Sequence, residues 1–351
     1  MTERAKNSTL FIHSGGLGDL VLLEPSLRAL KKSLGPNSKL DLLVEKRAFK
    51  GSQEFFLTNK LVNEVKVFDF KGKRNPLDVF KLLKLISGYS TIISSGSSPI
   101  IAILLWLSGS QRRIGFKSKF SFLLTDKVQL NKNQYAACML HNLVEPISGK
   151  ADQSAVLPQM NLQNNACPVE ELSNRRYFLI HPGVSELSNI KRIEKTPGSS
   201  FWKKLLLELC EKYSETSIAL IAGPDEKEKI KDISSNIESP NFVDLSNQNF
   251  SIQELGSLIK QSSCFICADS APLHIAVAVN AKIVSIFGPT DPQKIVPERK
   301  NIKVAKVDNL LCQPCLWNRR NNSCELPLCI KLLETESIIN LVDEFTVSSQ
   351  K

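Results

Sequence analysis

Residues 13–24 (HSGGLGDLVLLE) place three glycines and a carboxylate where an apolar run gives way to a helical pattern. Gly15, Gly16 and Gly18 keep side chains away from an approaching ligand, and Asp19 follows them directly. A carboxylate in this position can act as a general base, and a glycine turn at a helix start can hold a phosphate. The alternative is a tight turn in which Asp19 caps the helix.

A dinucleotide-binding fingerprint, G-x-G-x-x-G, is incomplete at this turn. When Gly15 and Gly18 are aligned with its last two glycines, His13 occupies the position of the first. Glu45 follows the second apolar run, where an NAD-binding carboxylate would lie. An NAD-dependent enzyme is therefore one hypothesis, although it leaves the motifs of the second half unexplained.

Two polar clusters of the second half also follow apolar runs. His181 and Gly183 precede Lys191 and Lys195, whose ammonium groups could neutralise a diphosphate, with ordinary loop charge as the alternative. In the stretch AGPDEKE, Glu226 could accept hydrogen bonds from ribose hydroxyls. The alternative for Glu226 is a solvated acid in the first turn of a helix.

The longest cluster is CADSAPLHIAVAVNAKIVSIFGPTDP, residues 267–292. Asp269 ends an apolar run, and a helical pattern follows it. Free N–H groups at the start of that helix could bind a diphosphate. The residues of this helix start are Ser270, Ala271, Pro272 and Leu273. His274 would point from the first turn toward the same space, with a structural histidine as the alternative.

These clusters stand at the ends of short apolar runs that alternate with helical patterns. In the first half, strands are expected at 10–13, 40–44, 65–68 and 91–94, and helices at 20–34, 77–86 and 134–147. A polar linker is expected at 148–176. In the second half, strands are expected at 177–181, 217–222, 264–268 and 283–287, and helices at 201–213, 225–237, 252–260 and 272–279.

Two successive βαβ series predict an α/β protein with two Rossmann-like parallel-sheet domains that face a central cleft. The expected domains are residues 1–165 and residues 166–351. Ligands of such sheets bind at the carboxyl ends of the strands, and each polar cluster follows a predicted strand.

The 351 residues are 42% hydrophobic and 23% charged, which is typical of a globular protein. Residues 1–150 carry 23 Lys and Arg against 11 Asp and Glu, whereas residues 151–351 carry 22 against 24. The first half is therefore expected to meet an anionic partner, such as a phosphorylated acceptor or a membrane surface, with a solvated basic face as the alternative. Nucleic acid is not expected, because aromatic residues are sparse and no basic-aromatic module is present.

No apolar stretch approaches the roughly 20 residues that span a bilayer. The most apolar run, residues 99–107 (PIIAILLWL), is expected to be a buried helix, with a membrane contact as the alternative. The first residues contain no signal-like apolar core. We therefore expect a cytoplasmic protein, peripheral at most to the inner membrane, whose nine cysteines are reduced.

Four cysteines cluster near the end of the chain with the spacing C-x2-C-x8-C-x4-C. They are Cys312, Cys315, Cys324 and Cys329. Their spacing allows a structural zinc site, buried thiols or a disulfide. The other cysteines are expected to be small apolar residues in or near the core. They are Cys138, Cys167, Cys210, Cys264 and Cys267.

The order and spacing of five motifs resemble glycosyltransferase family 9, the ADP-heptose:lipopolysaccharide heptosyltransferases of GT-B fold. The motifs are GGLGD, RRIGF at 112–116, HPG, AGPDE and DSAPLHIAVAV with IVSIFGPTDP, and the resemblance extends from about residue 9 to residue 330. It implies that Asp19 is the catalytic base. It also implies that Glu226 contacts the ribose and that Lys195 contacts phosphate. Lys191 remains an alternative because the K-x-W-P pattern of the family is broken here.

The family pattern D-T-G-x-x-H falls on Asp269, Ser270, Ala271 and His274, so that Ser-Ala replaces Thr-Gly. The resemblance implies an inverting transferase that moves a heptose or related sugar from ADP-heptose to a lipopolysaccharide core or lipid-linked acceptor. A different nucleotide-sugar donor, suggested by Ser270 and Ala271, and a catalytically inactive sugar-nucleotide-binding paralogue are the alternatives. No metal or other cofactor is expected, because the lysine and the helix start could meet the charge of the leaving diphosphate.

Overall fold

The structure is a computed structural model that describes residues 5–70, 72, 75–164, 166–183, 193–224, 226–316 and 324–347. It divides into two compact units, Met1–Gln159 and Met160–Lys351. The boundary falls within the polar segment 148–176 that the sequence assigns to a linker.

The first unit is built on a six-stranded parallel sheet in the order β3-β2-β1-β4-β5-β6. Its strands are β1 Ala5–His13, β2 Lys39–Glu45, β3 Glu64–Phe68, β4 Tyr89–Ser94, β5 Arg112–Phe116 and β6 Asp126–Val128. This order is that of a doubly wound nucleotide-binding sheet. The two short strands β5 and β6 were not predicted, although the RRIGF motif is β5.

The helices of the first unit pack on this sheet or against another helix. They are α1 Leu17–Leu34, α2 Phe49–Thr58, α3 Pro76–Ile86, α4 Pro99–Leu107, α5 Ala136–Asn142 and α6 Glu145–Ser148. Of these, α5 and α6 pack against α1. A core cluster joins Leu10, Leu43 and Ile92 of the strands to Leu82 of α3 and Leu105 of α4. The packing follows from apolar residues at helical spacing opposite apolar strands.

Two helix predictions of the first unit need correction. The single helix expected at 134–147 is two helices, and Pro146 lies in the first turn of the second, where its missing N–H has no cost. The run at 99–107 is a helix, but it is not buried as a whole. Only Ala102 and Leu105 of α4 are buried, while Ile100, Trp106 and Leu107 are exposed.

The second unit repeats the same topology, with strand order β12-β11-β10-β7-β8-β9 and every pair parallel. Its strands are β7 Tyr177–His181, β8 Ser217–Leu220, β9 Phe242–Asp244, β10 Cys264–Ala268, β11 Ile283–Ile286 and β12 Ile302–Ala305. β7 and β10 are buried along their whole length, as expected for central strands covered on both faces. The predicted pair of Rossmann-like parallel sheets is thereby confirmed.

The helices of the second unit enclose a core that includes Trp202, Leu205, Ile266 and Ile338. They are α7 Ser199–Lys212, α8 Lys227–Ser234, α9 Ile252–Gln261, α10 Ala271–Ala278, α11 Pro292–Ile295, α12 Leu328–Lys331 and α13 Thr335–Val347. Across the described ranges, no helix has both the length and the apolar content needed to cross a membrane.

Candidate active site

The turn between β1 and α1 exposes the side chain of Asp19. Gly16 is the N-cap residue of α1, with extended backbone angles of φ −78° and ψ −176°. Asp19 lies three residues further on, and its Oδ2 accepts a hydrogen bond of 2.9 Å from the Gly16 N–H. Gly16 therefore occupies the N-cap position without a side-chain cap of its own, and Asp19 supplies a capping contact from the third helical position. The Asp19 side chain nevertheless remains exposed.

Gly15 is required by close packing between two side chains. A Cβ atom on Gly15 would lie 2.3 Å from Nε2 of His13, 2.6 Å from Cβ of Asp19 and 2.7 Å from Oδ2 of Asp19. The imidazole of His13 and the carboxylate of Asp19 therefore both approach the space that a Cβ atom of residue 15 would fill. Only glycine leaves that space empty. At Gly16 the nearest such atom is 3.9 Å away, so the requirement is specific to Gly15.

His13 is a functional candidate that the sequence reasoning treated only as a substitute for a fingerprint glycine. Its side chain is buried, and Nδ1 lies 2.7 Å from Oγ of Ser95, just after β4. The Ser95 N–H also bonds to the carbonyl oxygen of Ile12. A polar residue directly after the apolar run 10–12 was the available signal, because the carboxyl end of a parallel strand faces the ligand side of the sheet.

At the end of β7 in the second unit, His181 pairs with Glu226. Nε2 of His181 lies 3.1 Å from Oε2 of Glu226, and both side chains are largely buried. Oε2 also accepts a 2.8 Å hydrogen bond from the Gly223 N–H. Nε2 is therefore the ring nitrogen of His181 that faces the carboxylate. The two predicted site residues therefore come together, and Glu226 is held in place by the turn that precedes α8.

Gly183 leaves the space that this carboxylate occupies. A Cβ atom on Gly183 would lie 2.0 Å from Oε2 of Glu226 and 2.1 Å from its Cδ. The HPG motif thus allows the loop after β7 to cross directly over Glu226. Nδ1 of His181 lies 3.5 Å from Oγ of Ser270, which donates a hydrogen bond to the carbonyl oxygen of Ala268. One group of contacts therefore links the ends of β7 and β10 to the start of α8.

A second group of contacts surrounds Asp269, directly after β10. Nζ of Lys195 lies 2.9 Å from Oδ2 of Asp269, and the Thr290 hydroxyl donates a 2.8 Å hydrogen bond to the same oxygen. Burial alone would raise the pKa of Asp269, but Lys195, Thr290 and the neighbouring His274 outweigh it and hold that pKa below its usual range. Asp269 is therefore an ionised, buried anchor for Lys195.

The segment that carries Lys195 is itself fixed. The Thr196 hydroxyl donates to the carbonyl oxygen of Pro182 at 2.8 Å and accepts from Nε1 of the buried Trp202 at 2.9 Å. Lys191, the alternative phosphate-binding residue, lies outside the described residues. Thr290 was not among the predicted site residues, although it lies within the FGPTDP stretch that follows β11.

The start of α10 offers fewer N–H groups than its sequence indicates. Pro272 has no N–H, and the N–H of the fully buried Leu273 bonds to the carbonyl oxygen of Ser270. Ser270 is the N-cap residue, with extended backbone angles, and Ala271 follows it in the first turn. The backbone N–H groups of Ser270 and Ala271 precede the hydrogen-bonded turns of this helix. His274 is buried and interacts electrostatically with Asp269.

The cysteine-rich segment packs against the loop that carries Thr290. Nε2 of Gln313 donates a 2.6 Å hydrogen bond to the carbonyl oxygen of Gly288, and the N–H groups of Cys315 and Leu316 bond to that of Pro289. Cys312 is exposed, Cys324 is partly buried, and Cys315 and Cys329 are buried. Within the described residues, these cysteines form no group of three or more metal-ligating side chains.

The fold of the protein is similar to that of solved glycosyltransferases. The fold is GT-B: the Escherichia coli ADP-heptose lipopolysaccharide heptosyltransferase II superposes with a TM-score of 0.71 at 16% identity, covering 98% of this chain and 100% of that one. A family 9 glycosyltransferase from Veillonella parvula gives a TM-score of 0.73, also at 16% identity, with 99% of each chain covered. Both similarities concern the fold.

The family follows from the sequence comparison. Residues 80–325 match the model of glycosyltransferase family 9 (heptosyltransferase), so the chain belongs to that family and is a glycosyltransferase. A lipooligosaccharide heptosyltransferase 2 of Campylobacter jejuni is 27% identical over 348 residues, covering 96% of this chain and 99% of the relative. A lipopolysaccharide heptosyltransferase 3 of Escherichia coli is 24% identical over 283 residues, covering 78% and 81%. The hypothesis of an NAD-dependent enzyme is therefore wrong.

Proposed function

We propose that the protein transfers heptose from ADP-heptose to a lipopolysaccharide core or lipid-linked acceptor, with inversion at the anomeric carbon. The names of the similar heptosyltransferases support the sugar and the acceptor class. The observation that carries the proposal is the exposed Asp19 carboxylate, which is fixed above the glycine turn. The contacts of this turn leave no room for a side chain at Gly15. That arrangement suits a base that must reach the hydroxyl of a large acceptor.

The proposed reaction is a single displacement. Asp19 takes the proton of the acceptor hydroxyl, and the hydroxyl oxygen attacks the anomeric carbon from the face opposite the diphosphate. The bond between that carbon and the diphosphate oxygen breaks, and ADP leaves with the bonding electrons. Asp19 becomes protonated and later releases the proton to solvent. Inversion follows because the new bond forms on the opposite face.

The second unit is proposed to hold the donor and to stabilise the leaving group. Lys195 meets the charge that develops on the diphosphate, together with the amides of Ser270 and Ala271. Asp269 positions the lysine, and Thr290 positions Asp269 by donating to the same Oδ2 atom that Lys195 contacts. Glu226, fixed by His181 and Gly223, presents its carboxylate to the ribose hydroxyls. Lys195 and the two amides would make a metal ion unnecessary for the departure of the diphosphate. Abolition of turnover by EDTA would contradict this part of the proposal.

Two alternative functions remain within the family. The Ser270-Ala271 pair, where the family has Thr-Gly, favours a test of other nucleotide sugars as donors. An inactive sugar-nucleotide-binding paralogue is the second alternative, and the retained Asp19 argues against it. We further propose that the protein acts at the cytoplasmic face of the inner membrane, where it contacts the membrane peripherally.

Calorimetric titration of nucleotide sugars tests the proposal directly. ADP-heptose and other nucleotide sugars are titrated separately into the wild-type protein and into the Asp19→Ala variant. Similar binding of ADP-heptose by both proteins, with turnover by the wild type alone, is the expected result. Binding of a different nucleotide sugar would overturn the heptose assignment, and binding without turnover in the wild type would support the inactive paralogue.

A further inference from the structure

The first unit contains an apolar cavity that the proposed chemistry does not use. It lies between α3 and α4, at the carboxyl ends of β1, β3 and β4, and has a volume of about 530 Å³. That volume is within the range of roughly 300–1,000 Å³ found for small-molecule sites. The walls are mainly apolar, and their polar part is formed by Ser14, Asp78 and the serine-rich loop 94–98. The apolar wall residues include Phe68, Phe70, Leu82, Ile101 and Leu104.

Large apolar side chains stand exposed on the two helices that form this cavity. Leu77 and Phe80 of α3 are 68% and 70% exposed, and Ile100 of α4 is 58% exposed. Val79, which lines the cavity, is also exposed. Exposed apolar groups gathered around an apolar cavity mark a surface that meets a ligand or another molecule.

The same face of α3 carries positive charge. Phe80 and Lys81 lie three and four residues after Leu77, and Lys84 lies four and three residues after them, so the four residues share one face of the helix. All four are exposed. Asp78 is the one acid of this helix, and it is engaged with the Asn75 N–H and with Lys81. Apolar side chains beside lysines are typical of helices that lie in the interface of an anionic membrane.

The charge of the whole first half agrees with this partner. Residues 1–150 carry an excess of twelve positive charges over negative ones, from 23 Lys and Arg against 11 Asp and Glu. A partner that is both anionic and apolar matches the face better than an apolar protein surface does. An anionic lipid offers both properties, with a charged head group and an acyl chain.

We propose that α3, α4 and the cavity between them form a lipid-docking surface for an anionic membrane. Leu77, Phe80 and Ile100 enter the head-group region, Lys81 and Lys84 meet the lipid phosphates, and the cavity takes an acyl chain of that membrane. The inference rests on the proposed function in one respect: an enzyme with a membrane-anchored acceptor has to reach the membrane. Binding is measured without turnover, so the two proposals fail separately.

Vesicle sedimentation tests the surface. The wild-type protein is mixed with vesicles of phosphatidylcholine alone or of phosphatidylcholine with phosphatidylglycerol, and the expected result is binding to the anionic vesicles only, weakened by salt. The Leu77→Ser/Phe80→Ser variant should bind them roughly tenfold more weakly or worse, since two apolar side chains no longer enter the interface. The Leu326→Ser/Leu332→Ser variant removes two leucines of similar exposure, 59% and 55%, from the second unit and should bind like the wild type.

A single-chain probe tests the cavity itself. Dodecyl phosphate, titrated below its micelle concentration, should bind the wild type and not the Val79→Trp variant, in which the indole occupies the cavity mouth. Absence of anionic vesicle binding by the wild type, or unchanged binding by the Leu77→Ser/Phe80→Ser variant, would overturn the surface. Failure of dodecyl phosphate to bind would overturn the acyl-chain assignment. Light scattering that shows a wild-type dimer and a monomeric variant would instead identify the face as a contact between two copies.

Discussion

Replacement of Gly15 by alanine should separate donor binding from turnover. The new Cβ would lie 2.6 Å from Cβ of Asp19 and 2.3 Å from Nε2 of His13. Non-bonded carbon atoms rest at about 3.5–4.0 Å, so Asp19 has to move by roughly 1 Å. Cβ of Asp19 is fixed to the first turn of α1, and His13 is held by Ser95, so neither neighbour yields by a simple side-chain rotation.

A displacement of this size in a catalytic group can cost about 10²-fold in rate. We therefore expect the Gly15→Ala variant to lose about two orders of magnitude in kcat under saturating donor, while its Kd for ADP-heptose stays near that of the wild type. Overpacking should also lower the free energy of unfolding by roughly 1–3 kcal/mol. The assays are single-turnover transfer, calorimetry with ADP-heptose, and urea denaturation.

Gly16→Ala is the matched control because its Cβ has no neighbour closer than 3.9 Å and its backbone is extended. It should weaken the helix cap, since alanine is a poor N-cap residue, and leave turnover close to that of the wild type. Equal turnover by the two variants, or a loss in both, would refute the argument that Gly15 positions Asp19.

Three further predictions concern other parts of the molecule. Thr290→Val removes a hydrogen bond to the ionised Asp269 and should lower the free energy of unfolding by about 1.5–3 kcal/mol in urea titrations at neutral pH. Because the pKa of Asp269 is lowered by folding, this deficit should shrink as the pH falls below the ordinary carboxyl range; a deficit independent of pH would contradict it. Gly183→Ala should displace Glu226 and weaken ADP-heptose binding about tenfold in calorimetry, whereas Gly198→Ala, with no atom within 4 Å of its Cβ, should not; equal affinities would speak against Glu226 as a donor contact. His141 is buried, neither of its ring nitrogens has a hydrogen-bond partner among the described residues, and burial, with the charge of Arg28, lowers its pKa. The unfolded chain therefore binds the proton more readily than the folded one, and stability should fall as the pH drops below about 6.5. His141→Leu should flatten that fall in urea titrations from about pH 7.5 to about pH 5, and identical pH profiles would contradict it.

Much of the fold was predictable because apolar runs and turn residues are local signals. All eight expected strands lie within or overlap strands of the two sheets, including β7 and β10, whose predicted limits agree with the structure. The unpredicted strands were short, such as β6 with three residues and β9 with three residues. Strands of this length contain too few residues to show a period, so the pairing that creates them is set by the rest of the sheet.

Several residues that the sequence proposes for the candidate site lie together in the structure, but their contacts were not predictable. Asp269 and Lys195 are 74 positions apart, and Asp269 and Thr290 are 21 apart. No local pattern indicates that Lys195 and Thr290 both contact the same carboxylate oxygen of Asp269. The exposure of α4 was missed for a similar reason, because an apolar run of nine residues has the same composition whether its partner is the core or another surface.

The central claim is tested most directly by a transfer reaction with ADP-heptose and a heptose-deficient lipopolysaccharide core, followed by mass spectrometry and determination of the anomeric configuration. The wild-type protein should add one heptose with inverted configuration, and the Asp19→Asn variant should bind ADP-heptose but form no product above background. Product formed by the Asp19→Asn variant at the wild-type rate, or a product of retained configuration, would contradict the account.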